Sequence, residues 1–238
     1  MKKKLISTLA ICSIACCIGG MSLIQANADT YDDAFISIVP LPGAAVRLGK
    51  NDNDLISEDM SAHGLRFQAV IPTDTYTALE ASETETRTVN YGIIIAPLDY
   101  ETTYGEYTKD NLFGTNRKYY IDGVTEAGNG LRALTGKDRA TLGDYEADTT
   151  KKIVSGALLN IPTSQLTREF VGIPYIRITD GDNSEFYTAE YKDARSMVYV
   201  AQRAIQSGTL TAEESTYLTD NYVNYKDENT DVASKQYT

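Results

Sequence analysis

Apolar positions in this chain recur every second residue in several stretches, and every third or fourth residue near its C-terminal end. The clearest alternation is "GLRFQAVIP": Leu65, Phe67, Ala69 and Ile71 share one face, and Arg66, Gln68 and Val70 the other. That is a strand half-buried in an antiparallel sheet, and Pro72 stops it. Residues 88–96, "TVNYGIIIA", are almost continuously apolar. Three successive isoleucines need burial on both faces, so this strand is expected in the middle of a sheet. Gly92 inside it marks a bulge or a close backbone approach. Residues 153–161 read as a second apolar strand. Residues 168–179 alternate again, with Pro174 pointing to a sheet edge or a bulge. "DGDNS" then turns the chain into a returning strand at 185–191, which makes a hairpin. Shorter strands are expected at 35–39, at 44–48 after a turn at Pro42-Gly43, and at 118–121.

The helical signals are fewer. Residues 73–82 suit a turn or two of helix, and 98–112 are irregular or helical. After residue 193 the period changes to 3.6: Ala194, Met197, Val198, Ala201, Ala204 and Ile205 mark one face, with Asp193 as N-cap and Gly208 just past the end. A second helix follows, opened by a Thr211–Glu214 capping box and lined by Tyr217, Leu218 and Tyr222. Residues 123–149 hold five glycines and a weak pattern, which reads as a long loop or insertion. These elements predict one mainly β domain over residues 29–223. Its antiparallel, sandwich-like sheet carries a C-terminal α-helical hairpin over one face or end, α+β if the helices count as a layer. From 224 to 238 the chain is polar and reads as a disordered tail.

The N-terminus sets the expected compartment. Lys2, Lys3 and Lys4 precede an apolar run at 5–24, and Ala26 and Ala28 stand in the A-x-A arrangement of a cleavage site. A signal peptide over 1–28, cut after Ala28, is the expected reading, and an uncleaved anchor is the alternative. All three cysteines, Cys12, Cys16 and Cys17, lie inside that segment. Lipid attachment at Cys16 or Cys17 is the minor alternative for a secreted chain. The cleaved protein would hold no thiol and would rely on packing alone.

Charge removes further classes. The formal net charge is −11, and cleavage would take away three more positive charges. Such a chain repels nucleic acid and anionic membranes, and no second membrane-length run follows the leader. Without cysteine, thiol catalysis and cysteine-zinc sites fall away. The chain has one histidine, His63, so a Ser–His–Asp triad would depend on it; no G-x-S-x-G elbow exists to present the serine. With 33 acidic residues, carboxylate pairs suited to glycoside hydrolysis arise by chance.

Three constellations remain. Asp180, Asp182 and Ser184 alternate before Glu185, and oxygens so spaced on a tight turn can converge on calcium; an ordinary hairpin turn is the competing reading. "NDND" at 51–54 offers a similar acidic loop. The chain has 17 tyrosines and no tryptophan, and Tyr100, Tyr104, Tyr107, Tyr119 and Tyr120 gather after the central strand. Tyrosine gives amphipathic contact area at low entropic cost, as sugar or protein recognition requires, although partly buried core tyrosine reads the same way. Arg66 and Arg168 interrupt apolar strands, where an arginine needs a carboxylate partner or faces a ligand.

The succession "VRLG", "GLRFQA", "YGIIIAP", "LTREFVGIPYIRITD" and "DARSMVYVAQRAI" resembles an uncharacterised, β-rich module of secreted and surface proteins of Gram-positive gut bacteria. The resemblance spans about residues 43–223, and 100–148 is its least familiar part. It implies an extracytoplasmic location and no known catalytic residue. The expected function is a secreted binding module for a glycan or for a host or cell-surface protein such as an immunoglobulin. Tyr100, Tyr104, Tyr107, Tyr119, Tyr120 and Arg66 are its candidate contacts, with no cofactor unless calcium. A small carboxylate-based glycan hydrolase and a structural part of a surface assembly are the alternatives.

Overall fold

The structure is a computed structural model and describes residues 36–121, 130–135 and 140–225. In chain order its strands are β1 (Val39–Pro40), β2 (Ala45–Arg47), β3 (Gly64–Pro72), β4 (Arg87–Pro97), β5 (Tyr120–Ile121), β6 (Gly130–Thr135), β7 (Ala140–Asp144), β8 (Lys151–Leu159), β9 (Phe170–Asp180) and β10 (Asn183–Thr188). Five short helices accompany them among the described residues: α1 (Thr73–Ala81), α2 (Asp99–Tyr104), α3 (Lys109–Phe113), α4 (Met197–Ser207) and α5 (Ala212–Leu218). The protein is mainly β, and its sheets are antiparallel apart from one short parallel pair, β5 with β6.

The strands form two five-stranded sheets. The first runs β1–β3–β8–β7, with β2 beside β1 on the same edge of β3. Val39 pairs with Val70 and Ala45 with Arg66, so residues 41–44 of the edge span only 67 and 68 of β3. The two extra residues are taken up at Gly43, whose φ of 75° suits glycine. The second sheet runs β10–β9–β4–β6–β5.

Sheet pleating fixes which residues share a face. In β3, Leu65, Phe67, Ala69 and Ile71 are all buried, as the alternation predicts. In β4, Ile95 stands opposite Gly172 of β9. A Cβ on Gly172 would lie 2.5 Å from the Cβ of Phe67, so this face of the second sheet meets β3 of the first. Ile93 and Ile95 therefore point between the sheets. Ile94 and Ala96 point the other way, into a cluster with Tyr107, Leu112, Tyr119, Leu131, Val171, Ile173 and Tyr175. The central position expected for 88–96 is realised, with β9 and β6 on either side of β4; burial on both faces holds for 91–96, whereas Thr88 is exposed and Asn90 half-buried. Gly92 sits in unbroken register, opposite Tyr175 and Thr135, without a bulge.

Four expectations need correction. Residues 123–149 are not a loop throughout, because β6 and β7 lie within them. Their own pattern is weak, and pairing with β4 and β8 decides their state. The strand expected from Arg168 starts at Phe170 and lies inside the sheet rather than at its edge. Pro174 is accommodated one residue beyond the last β9–β10 pair, Tyr175 with Thr188, where the β10 side of the strand opens. The N-cap of α4 is Ser196, whose hydroxyl accepts from the Tyr199 N–H at 3.2 Å, and not Asp193. Arg195 exchanges backbone hydrogen bonds with Phe170, and this extended bridge delays the helix.

Ala194, expected on the helical face, lies before α4; the C-terminal signals of α4 and the start of α5 hold. Gly208 closes α4 in the left-handed region at φ 68°, and the Thr211–Glu214 capping box is formed at the start of α5. Leu218 and Tyr222 are buried. Of the expected tail, residues 226–238 lie outside the described residues, as does the expected leader at 1–28.

Candidate functional site

The tyrosine-rich segment between β4 and β6 folds back over the second sheet. α2 starts directly after β4, and α3 is capped by Thr108, whose hydroxyl accepts from the Asn111 N–H at 3.2 Å. Between them Gly105 turns the chain at φ 104°. Tyr107 and Tyr119 point inward from this segment and are buried. Their rings lie 4.7 Å apart, tilted by 38°.

Burial of a phenol demands a partner for its hydroxyl. Tyr107 donates to the Pro97 carbonyl at 2.6 Å, and Tyr119 donates to the Gly105 carbonyl. Glu101 accepts from the Tyr107 N–H at 3.1 Å and from the Tyr191 hydroxyl at 3.0 Å. Burial pushes Tyr119 up to about 12 and Tyr191 up to about 12, and it raises Tyr107 well above the ordinary phenol. Nearby Glu101 adds to each of these shifts. These hydroxyls are neutral donors held by the fold.

Of the five tyrosines singled out in the sequence, the structure brings Tyr100, Tyr104, Tyr107 and Tyr119 together. Tyr104 meets Tyr100 and Tyr119 edge-on at 5.5 Å and 6.1 Å. Tyr107 and Tyr119 are spent on packing, whereas Tyr100 and Tyr104 are half-buried and Tyr120 is exposed. Arg168 lies over the Tyr100 ring at 5.3 Å and grips Asp99 through two nitrogens, at 2.8 Å and 3.2 Å. Arg117 lies over Tyr120 at 5.4 Å.

Arg168 thus has the carboxylate partner expected of it. Arg66 differs: it is half-buried on the face of the first sheet turned away from the second, opposite Ala45 and Ala157, and pairs with no carboxylate among the described residues. It lies far from the tyrosine layer in the topology, on the other sheet.

His63 is buried and has no nitrogen to offer a serine. Its Nδ1 accepts from the Gly49 N–H at 3.1 Å, so the Nε2 proton goes to the Ser57 carbonyl at 2.8 Å. The ring packs 5.0 Å from Tyr217 of α5. It pins the loop at 49–57 between β2 and β3.

The acidic loops are held by their own turns. Asn51 Oδ1 accepts from the Asn53 and Leu55 N–H groups, which closes "NDND". The β9–β10 connection is two residues, Gly181 at φ 56° followed by Asp182. Asp180 accepts from the Thr86 hydroxyl at 3.2 Å. The register puts Asp180 and Glu185 on one face and Ser184 on the other, beside Thr179 at 3.0 Å. No group of three or more metal-ligating His, Cys, Asp or Glu side chains occurs among the described residues.

One residue of this region escapes a reading by segments. Arg177 alternates with Ile176 and Ile178 just as Arg66 alternates with Leu65 and Phe67, so the same signal marks it. It stands on the tyrosine-layer face of β9, opposite Asn90 and Phe186. No family model, no curated protein and no solved structure matches this chain.

Proposed function

We propose that the chain is a secreted binding module, and that its ligand is a glycan or a host or cell-surface protein docked on the tyrosine layer. The supporting observation is the division of labour among the tyrosines. Tyr107 and Tyr119 lock the segment onto β4 and β9, so Tyr100, Tyr104 and Tyr120 are presented from a fixed base. Rigid aromatic side chains lose little entropy on binding, and a preorganised base lowers the cost further. The N-terminal cleavage pattern supports secretion. In this reading the two sheets form a sandwich with the C-terminal helices as a hairpin at one end. The close approach of Gly172 to Phe67 supports the sandwich.

The test is a screen against a glycan array and a panel of extracellular proteins that includes immunoglobulin and mucin. A saturable hit is expected. Combining Tyr100→Ala, Tyr104→Ala and Tyr120→Ala should weaken it about tenfold or more. An unchanged affinity removes the tyrosine layer from the site.

A further inference from the structure

The second sheet's outer face is only partly covered. Its upper rungs lie in the tyrosine cluster through Ile94, Ala96, Val171 and Ile173. Below them the register sets three rungs: Gly92–Tyr175–Thr188, then Asn90–Arg177–Phe186, then Thr88–Thr179–Ser184. Arg177 stands at the centre. Its Nε is buried without a hydrogen-bond partner, and no ion pair joins Arg177 to a described residue. None of the nine residues on these rungs is acidic, in a chain where acidic residues outnumber basic ones 33 to 22. A half-buried guanidinium costs desolvation, and folding normally repays it with a carboxylate. Among the described residues, none of these three rungs supplies one.

The surroundings say what would complete it. Asn90, Thr88, Thr179 and Ser184 flank the guanidinium with amide and hydroxyl groups. On the other side Phe186 stacks on Phe113 at 4.0 Å and 10°, which makes an aromatic wall beside Arg177. A planar fork matches a carboxylate, the hydroxyl-bearing rungs match sugar hydroxyls, and the wall matches the apolar C–H face of a pyranose ring.

We infer that Arg177 anchors a carboxylate-bearing sugar, a uronic or sialic acid residue of a glycan, on this face beside Phe186. This rests on the binding-module reading and gives it a ligand class and a second contact residue. The guanidinium grips the carboxylate, and the polar rungs orient the ring.

The experiment measures binding of the full chain to tetragalacturonate and sialyllactose. Methyl-esterified tetragalacturonate and lactose are the matched neutral probes. The acids should bind and the neutral probes should bind about tenfold or more weakly, because only the carboxylate engages the fork. Both R177Q and R177K should lose that preference, since lysine keeps the charge and lacks the fork. Thermal unfolding of R177K, which keeps the charge and most of the stem, separates lost binding from lost folding. Equal binding of acid and ester, or unchanged acid binding by R177Q, overturns the inference. Neutral-glycan or protein binding that depends on Tyr100, Tyr104 and Tyr120 alone also overturns it, while leaving the binding module standing. A chain that binds none of the probes and nothing on the wider panel overturns both.

Discussion

The two faces of the second sheet are buried by different means. On the inner face Ile93, Ile95 and Ile176 are buried, and Gly172 approaches Phe67 so closely that it can carry no side chain. That core works by shape and apolar area. On the outer face, Ile94, Val171 and Ile173 are covered by tyrosines whose hydroxyls reach the backbone carbonyls of Pro97 at the end of β4 and of Gly105 in their own segment. That core also works by apolar area, but each ring brings a polar group that must be satisfied. The first is expected to respond to changes of volume, and the second to loss of a hydrogen bond and to loss of a proton.

The proton separates them most. Tyr119 and Tyr191 are pushed up to about 12 in the folded chain, against an ordinary value of 10.0, chiefly by burial, and Tyr107 is raised further. A folded-state value above the unfolded one means that the stabilisation is complete below about pH 10 and is lost as pH rises through the folded value. Raising the pH past 10 should therefore unfold the protein. Tyrosinate absorbance and loss of far-ultraviolet dichroism should rise together. Tyr91 adds to this from the inner face, where its hydroxyl donates to Glu80 at 3.0 Å. Full ionisation near pH 10 with unchanged dichroism would show that the layer is open to water.

Volume probes the other face. Gly172→Ala puts a methyl 2.5 Å from Phe67 Cβ, which the backbone fixes in place, and 2.6 Å from its Cγ. Overpacking of this kind costs about 1–3 kcal/mol, read as a lower denaturant midpoint with an unchanged slope. Gly143→Ala in β7 is the control: a Cβ there meets nothing within 4 Å, so the stability should change by no more than about 0.5 kcal/mol. Equal effects at the two glycines would mean that the sheets are not packed this closely.

The sequence carried the inner core more openly than the outer one. The alternation from Leu65 to Ile71 has the period of a strand, and the β-branched run through Ile93, Ile94 and Ile95 suits a buried one. Leu65, Phe67, Ala69, Ile71 and the three isoleucines are buried as expected, and Val70 of the opposite face is buried as well. The tyrosine layer was visible as a cluster, but nothing local says which rings face inward. That depends on Gly105 turning the chain and on the Pro97 and Gly105 carbonyls being within reach. Strands β6 and β7 were invisible for a related reason, since their neighbours and not their own residues decide them. Arg177 bore the same mark as Arg66 and Arg168. Its significance lies in the composition of three rungs, which requires the register.

The smallest expected effect tests the hydrogen bonds of the outer core. Tyr107→Phe keeps the ring, its contact with Tyr119 and nearly all of the apolar area. It removes the donor that the Pro97 carbonyl now has at 2.6 Å. An acceptor left without its partner inside the fold costs about 1–2 kcal/mol. Tyr120→Phe is the matched change on an exposed ring, where water replaces whatever the hydroxyl loses, so the stability should change by no more than about 0.5 kcal/mol. A clear loss at 107 with none at 120 would mean that the outer core depends on satisfied hydroxyls as well as on area. Equal, negligible losses would mean that the tyrosines serve there as phenylalanines would. The contrast between the two faces of β4 would then reduce to packing alone.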